Sequence, residues 1–517
     1  MYRRTTTWAA VLAAATAMVA APATASAAAA ASAPAGSAAL GPAGWVGPAG
    51  SASTGSIAWQ PCQPEPGDTP EEIALLPGSE CATITVPIDW NNPAGGTFEL
   101  AVARRTALQP NERVGVLVFG PGGPGDSGVD RIRSGMRRFS QNLENRFDIV
   151  SLDPRGVARS APVTCSAALL ARQPSPILSS QAEFDATVKY NRELAADCRE
   201  HTGPVYDHLD MLQTIRDVDA IRAALGESRI SFHGSSYGTL LGQQYAARFP
   251  QRVRALVLES VFDHGSATTG EFLDVQAWAA QDSFDEFVKW CARTTSCALH
   301  GRDVHAVWDG LLARASRGEL PDPQRPAYPV NQFQLSFAVF RMLYDPQWTR
   351  LADTLDRLVK SAPPTAQPPV PSGLAKNPIV VFCRDMSLPV RDYREFAGHL
   401  RRLAEGYPDM RYPGQLMAVT SCLGLPSAVN PQRDPKPYLL RTPALLINSL
   451  HDPATGYRSA RSVARQFGRD GVLVTYRGWG HGSYTTSPCM EATVDDYLVG
   501  LSVPRRRSHC PAVPPEG

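Results

Sequence analysis

Apolar and polar positions recur in one pattern along much of the chain: a short run apolar on both sides, a Gly-rich or acidic loop, then a stretch with helical spacing. The runs are 114–119, 147–152, 230–233 and 253–258. Such short runs, without polar alternation, predict strands buried on both faces, as in a parallel sheet between helices. Between them, 211–225 spaces Leu212, Ile215, Val218, Ile221 and Leu225 for one face of a helix. Upstream, 81–90 and 97–104 flank the turn-rich Asn-Asn-Pro-Ala-Gly-Gly of 91–96 and predict a β-hairpin. The pattern stops near 263 and resumes at 444–448 and 472–476. Roughly 180 residues lie between, helical in character, rich in Trp, Phe and Tyr, and broken by a Pro-rich stretch at 363–371. The expected architecture is an α/β fold, a mostly parallel sheet flanked by helices, with a mainly helical cap inserted over the C-terminal edge of the strands.

The N-terminus follows another pattern. Arg3 and Arg4 precede an apolar run at 8–21 and small-residue cleavage sites at 23–25 and 25–27, the order of a secretory signal. The run is too short to span a bilayer, and no cysteine precedes Cys62 to carry a lipid. Residues 28–55 are mostly Ala, Gly, Pro and Ser and cannot bury enough apolar surface to offset chain entropy. The expected division is a signal at 1–27, a linker or propeptide at 28–55, a core at 56–263 and 441–517, and the cap at 264–440. Across 517 residues, 50 Lys+Arg against 49 Asp+Glu leave a net charge of +1, which argues against an electrostatic nucleic-acid binder. No later stretch resembles a membrane span, so neither nucleic acid nor membrane is an expected partner, and the expected state is a secreted monomer. Export allows the ten cysteines to pair. Proximity in sequence suggests Cys62–Cys81, Cys165–Cys198, Cys291–Cys297, Cys383–Cys422 and Cys489–Cys510, although spacing alone does not fix connectivity.

Candidate chemistry begins at Gly234-Ser-Ser-Tyr-Gly238, between a predicted strand and a predicted helix. In a G-x-S-x-G turn the glycines allow a sharp reversal that exposes the serine hydroxyl, so Ser236 is the candidate nucleophile. A serine needs a base and an acid to orient that base, expected in the order Ser, acid, His. Asp452 follows the run 444–448 and His481 follows the next, leaving room between them for one helix and one strand. Gly120-Pro-Gly-Gly-Pro-Gly125 ends the run 114–119. It is formally a G-x-G-x-x-G, but Pro121 and Pro124 remove two N–H groups that a pyrophosphate would need. The preferred reading is an oxyanion hole formed by the N–H groups of Gly123 and Tyr237. No metal or cofactor is called for.

Taken together, 120–128, Asp153-Pro-Arg-Gly-Val-Ala-Arg-Ser160, the Ser236 elbow, Asp452 and His481 resemble the α/β-hydrolase family of prolyl iminopeptidases. Within it they are most similar to the secreted tripeptidyl aminopeptidases of Streptomyces, with a related group that releases tri- and tetrapeptides after proline. The similarity extends to 86–90 and to Val-Phe-Cys-Arg-Asp at 381–385. Pro121 and Tyr237 stand where the iminopeptidases carry His and Trp, which argues against strict release of single prolines; Ala158 stands where they carry Gly, a minor structural change. The resemblance implies a serine exopeptidase acting on peptide and protein N-termini. Such an enzyme counts from a free ammonium, and three extended residues span about 10–11 Å. An acid at that distance from Ser236 is therefore expected, with Asp385, Glu259 and Glu271 as candidates. A secreted esterase or lipase and a non-catalytic binding protein are the competing readings.

Overall fold

The structure, a computed structural model, describes residues 57–134, 138–432 and 438–515. The signal and linker assigned to 1–27 and 28–55 lie outside the described residues. Ten strands form one sheet: β1 (Gln60–Pro61), β2 (Glu80–Pro87), β3 (Thr97–Arg105), β4 (Gly115–Gly120), β5 (Phe147–Leu152), β6 (Ile230–Ser235), β7 (Val253–Glu259), β8 (Ala444–His451), β9 (Gly471–Trp479) and β10 (His509–Cys510). Their order is β1-β2-β3-β5-β4-β6-β7-β8-β9-β10. β1, β2 and β3 run antiparallel and join antiparallel to β5, and every pairing from β5 to β10 is parallel.

The helices used below are α1 (Gly128–Arg133), α2 (Gln181–Thr202), α3 (Met211–Ala224), α4 (Gly238–Arg248), α5 (Thr269–Arg293), α6 (Val304–Ser316), α7 (Gln332–Met342), α8 (Trp348–Lys360), α9 (Tyr393–Gly406), α10 (Tyr457–Phe467) and α11 (Pro488–Gly500). On one face of the sheet Val116, Val118, Val150 and Phe232 pack with Ile215, Val218 and Ile221 of α3, Leu240 and Leu241 of α4, and Val463 of α10. On the other, Leu117, Phe119, Ile149, Val257 and Ile447 pack with Val129 and Ile132 of α1 and Met490, Val494 and Tyr497 of α11. Alternate residues of one strand therefore meet different helices, which is why the strands read as unbroken apolar runs. Leu212 departs from the expected helix face and is exposed. The buried side of α3 instead follows Met211, Ile215, Val218 and Ile221.

Between β7 and β8 the chain forms α5 to α9, with a second core of Phe284, Phe287, Trp290, Trp308 and Trp348. One segment assigned above to the sheet domain joins these helices in space. Thr164–Ser166 pairs antiparallel with Leu374–Lys376, and Asn191 of α2 donates to the carbonyls of Thr420 (2.8 Å) and Leu423 (2.9 Å). The 164–202 segment is thus joined to residues 374–423 across the chain. The helices between β7 and β8 reach the ends of β8 and β9, where the Ser283 hydroxyl donates to the His451 carbonyl (3.0 Å) and Trp348 packs on Trp479 with ring centroids 5.4 Å apart.

The five disulfides are Cys62–Cys81, Cys165–Cys198, Cys291–Cys297, Cys383–Cys422 and Cys489–Cys510. Among the described residues no helix is long and apolar enough to cross a membrane.

Candidate active site

β6 ends at Ser235 and α4 begins at Gly238, so the chain reverses within two residues. Ser236 takes φ +56°, a left-handed conformation uncommon outside glycine and retained only where the surroundings enforce it. The flanking glycines are required by contact. A Cβ on Gly234 would run into the Gly238 carbonyl, and one on Gly238 into that of Gly120. The Ser236 N–H donates to the Glu259 carbonyl (2.9 Å), whereas its hydroxyl has no hydrogen-bond partner, His481 included, among the described residues. Catalytic hydrogen bonds often tighten only once substrate binds.

Asp452 and His481 follow β8 and β9, which pair as parallel neighbours up to His451 opposite Trp479. This register brings the two loops together. His481 Nδ1 lies 3.0 and 3.1 Å from the two Asp452 carboxylate oxygens. The Asp452 carboxylate also accepts the N–H groups of Ala454 and Thr455 (2.9 Å each) and the Thr455 hydroxyl (3.0 Å), which fix its plane. Thr455 Oγ1 is 3.4 Å from His481 Nδ1 as well. The signal for Thr455 in the sequence is the turn propensity of an Asp followed three residues later by Thr. With Nδ1 held by Asp452, Nε2 is the ring nitrogen free to take a proton. His451, the other histidine near this edge, bonds Asp282 (2.8 Å) and stacks on Trp479.

The helical insertion between β7 and β8 touches His481 directly. Tyr344, between α7 and α8, accepts the His481 N–H at its carbonyl (2.7 Å) and sets its ring 4.6 Å from the imidazole. Burial pushes the Tyr344 phenol up to about 12, so it stands there as a neutral wall. On the other side, a Cβ on Gly122 would lie 3.1 Å from Ser236 Cβ, so the 120–125 loop rests against the elbow. Among the described residues neither the Gly123 N–H nor the Tyr237 N–H finds an acceptor, and both belong to segments adjoining Ser236. The loop is packed against the helix that follows the elbow, and the acid after β5 is engaged within the protein. Gly238 occupies the space against Gly120, and Asp153, the acid that would meet a ribose, is buried and bound to Ser127 (2.5 Å), the Val129 N–H (3.1 Å) and Arg159 (3.0 Å).

The three carboxylates expected to bind a substrate ammonium differ in their surroundings. Asp385 is fully buried, accepting the Met211 N–H (2.8 Å), the Asn430 amide (2.9 Å) and the Tyr237 hydroxyl (2.7 Å). Burial raises its carboxyl to about 7. Glu259 is equally enclosed among Arg138, His233 and the N–H groups of Ser483 and Tyr484. Glu271 lies at the start of α5, where Thr268 caps the helix and the Glu271 carboxylate accepts the Ala267 N–H (2.9 Å). The burial of the first two is set by distant segments, and at the third helix capping uses the same residue types as ligand binding.

The profile described as alpha/beta hydrolase fold matches residues 115–488. The chain belongs to the α/β-hydrolase family. Among its relatives, the tripeptidyl aminopeptidase of Streptomyces coelicolor is 30% identical over 495 residues, covering 87% of this chain and 85% of that protein. The serine protease Hip1 of Mycobacterium tuberculosis is 28% identical over 492 residues, covering 88% and 91%. A carboxylesterase B of the same species is 28% identical over 485 residues, covering 88% and 89%. At this edge the fold holds a half-buried serine in the strand-to-helix turn, a histidine with one ring nitrogen bonded to a buried carboxylate, and, among the described residues, two N–H groups without acceptors in segments adjoining the serine.

Proposed function

We propose that this α/β-hydrolase is a secreted serine exopeptidase that releases tri- or tetrapeptides from the free N-terminus of peptides and proteins. The observation that carries this reading is the His481 Nδ1 to Asp452 bond beside the Ser236 elbow, beneath a cap that reaches the histidine. Similarity to the S. coelicolor tripeptidyl aminopeptidase over most of both chains supports the peptide substrate. In the reaction Ser236 Oγ attacks the scissile carbonyl and passes its proton to His481 Nε2, while Asp452 stabilises the imidazolium. The oxyanion develops toward the N–H groups of Gly123 and Tyr237, each such donor being worth about 2.7–4 kcal/mol of barrier. His481 then protonates the departing amine, and water hydrolyses the acyl-enzyme. Five disulfides and the 1–27 signal pattern favour an oxidising, extracellular location.

The test is mass spectrometry of products from a peptide mixture with free and acetylated N-termini. Tri- or tetrapeptides from free termini alone are expected. Cleavage of blocked peptides at the same rate refutes an exopeptidase. The relative named carboxylesterase B favours a second reading, hydrolysis of short acyl esters by the same residues. Rapid ester turnover with inert peptides would establish it in place of the first.

A further inference from the structure

Glu259 stands at a crossing of the segments that carry the proposed nucleophile and base. It closes β7, and its main-chain carbonyl accepts the Ser236 N–H at 2.9 Å. Its side chain turns to the other loop. Oε1 accepts the N–H groups of Ser483 (2.8 Å) and Tyr484 (2.9 Å), two and three residues beyond His481. Oε2 faces the Arg138 guanidinium and His233 Nε2 (3.0 Å), and His233 lies three residues before Ser236 on β6. Among the described residues this is the carboxylate that touches both the elbow strand and the histidine loop.

From this arrangement we infer that Glu259 is a positioning residue, holding the His481 loop in register with the Ser236 elbow. The inference rests on the serine-hydrolase reading of Ser236 and His481. The loop needs such a tie because Gly480 and Gly482 on either side of His481 adopt φ of +96° and +115°, conformations that supply little stiffness of their own. Two parallel N–H donors on one carboxylate oxygen fix the loop where its backbone is most permissive. A buried carboxylate is costly unless paired. Burial alone would raise its pKa, but the charge of Arg138 and the hydrogen bond from His233 outweigh it and hold Glu259 far below the usual carboxylate range. Burial also keeps His233 neutral by lowering its pKa, so the cluster carries one cation against one anion. Tyr484 packs edge-on to His233 with centroids 5.6 Å apart, which closes the cluster from the loop side.

Glu259→Gln tests this. The amide preserves volume, but its NH2 group cannot accept from backbone N–H or guanidinium, so one side of the crossing is lost. Misplacement of a reacting group by about 1 Å costs on the order of 100-fold. The expected result is kcat per fluorophosphonate-titrated site lowered about 100-fold on a chromogenic ester and on a tripeptide anilide, with KM within about twofold. Glu259→Asp, which withdraws the carboxylate by about one bond length, should retain part of that turnover and serves alone if Glu259→Gln does not fold. A purely structural role would lower the number of titratable sites and leave turnover per site intact, and that result overturns the inference. Wild-type turnover per site in either folded variant does the same. A wild type that neither reacts with fluorophosphonate nor turns over the ester removes the serine-hydrolase reading and the inference together; a reactive wild type with equal rates in the variants removes the inference alone.

Discussion

Asp385→Asn should flatten the dependence of stability on pH. Asp385 is enclosed where cap and sheet domain meet, and burial carries its carboxyl from 3.8 to about 7, with neighbouring Asp210 adding to the rise. Its partners are the Met211 N–H, the Asn430 amide and the Tyr237 hydroxyl, while its main-chain carbonyl bonds His264 Nε2 (2.5 Å). Between pH 4 and 7 the folded protein keeps a proton that the unfolded chain has released. The group's contribution to stability therefore falls as pH rises through that window and is constant above it. At about 1.4 kcal/mol per unit the window amounts to about 4 kcal/mol, of which about 3 kcal/mol falls between pH 5 and 8. An asparagine can keep the same partners, its carbonyl accepting from Met211 and Asn430 and its amide donating to the Tyr237 oxygen. With an unfolding entropy of about 2.1 cal/mol/K per residue, a chain of 517 residues shifts its Tm by about 1 °C per kcal/mol. In melts monitored by circular dichroism, Asp385→Asn should gain about 3 °C on the wild type between pH 5 and pH 8. Parallel pH profiles in the two proteins would refute an internally titrating Asp385. Because Asp385 is buried and bonded to Tyr237, KM for free-amine peptides should be unchanged, and a large rise would mark it as an ammonium receptor.

Ser236→Ala should lower turnover of anilides and esters by at least about 10⁴-fold and abolish fluorophosphonate labelling; retained activity excludes the acyl-enzyme route. Thr455→Val removes the hydroxyl from Asp452, a charge-assisted bond worth about 1.5–3 kcal/mol. It should lower kcat by roughly 10- to 100-fold with little change in KM, read in steady-state kinetics. Replacing both Cys383 and Cys422 by Ser opens a bridge spanning 39 residues, for which chain entropy gives about 4 kcal/mol. Urea unfolding at matched pH should show that loss, and an unchanged midpoint would mean that the bridge does not constrain the unfolded chain.

The parallel strands, the elbow and the order of Ser236, Asp452 and His481 were legible in the sequence because each depends on a few consecutive residues: an apolar run, paired glycines, a loop after a strand. Disulfide partners were legible for a related reason, each cysteine bonding a near neighbour in sequence, none more than 39 residues away. The helical insertion was visible as a gap in the strand pattern, but its pairing with an earlier segment was not. The short strand at 164–166 and the polar contacts of α2 become meaningful only against residues more than 200 positions later. The acids divided along the same line. Asp452 follows a strand in its expected place, whereas Glu259, Asp385 and Glu271 looked alike as carboxylates near the cap. Only the tertiary structure separated them, because the environment of Glu259 is supplied by Arg138, 121 residues earlier, and by Ser483, 224 residues later. A sequence fixes local periodicity and turn chemistry through bonded neighbours. The solvation and pairing of a charge are set by whichever distant segments fold around it.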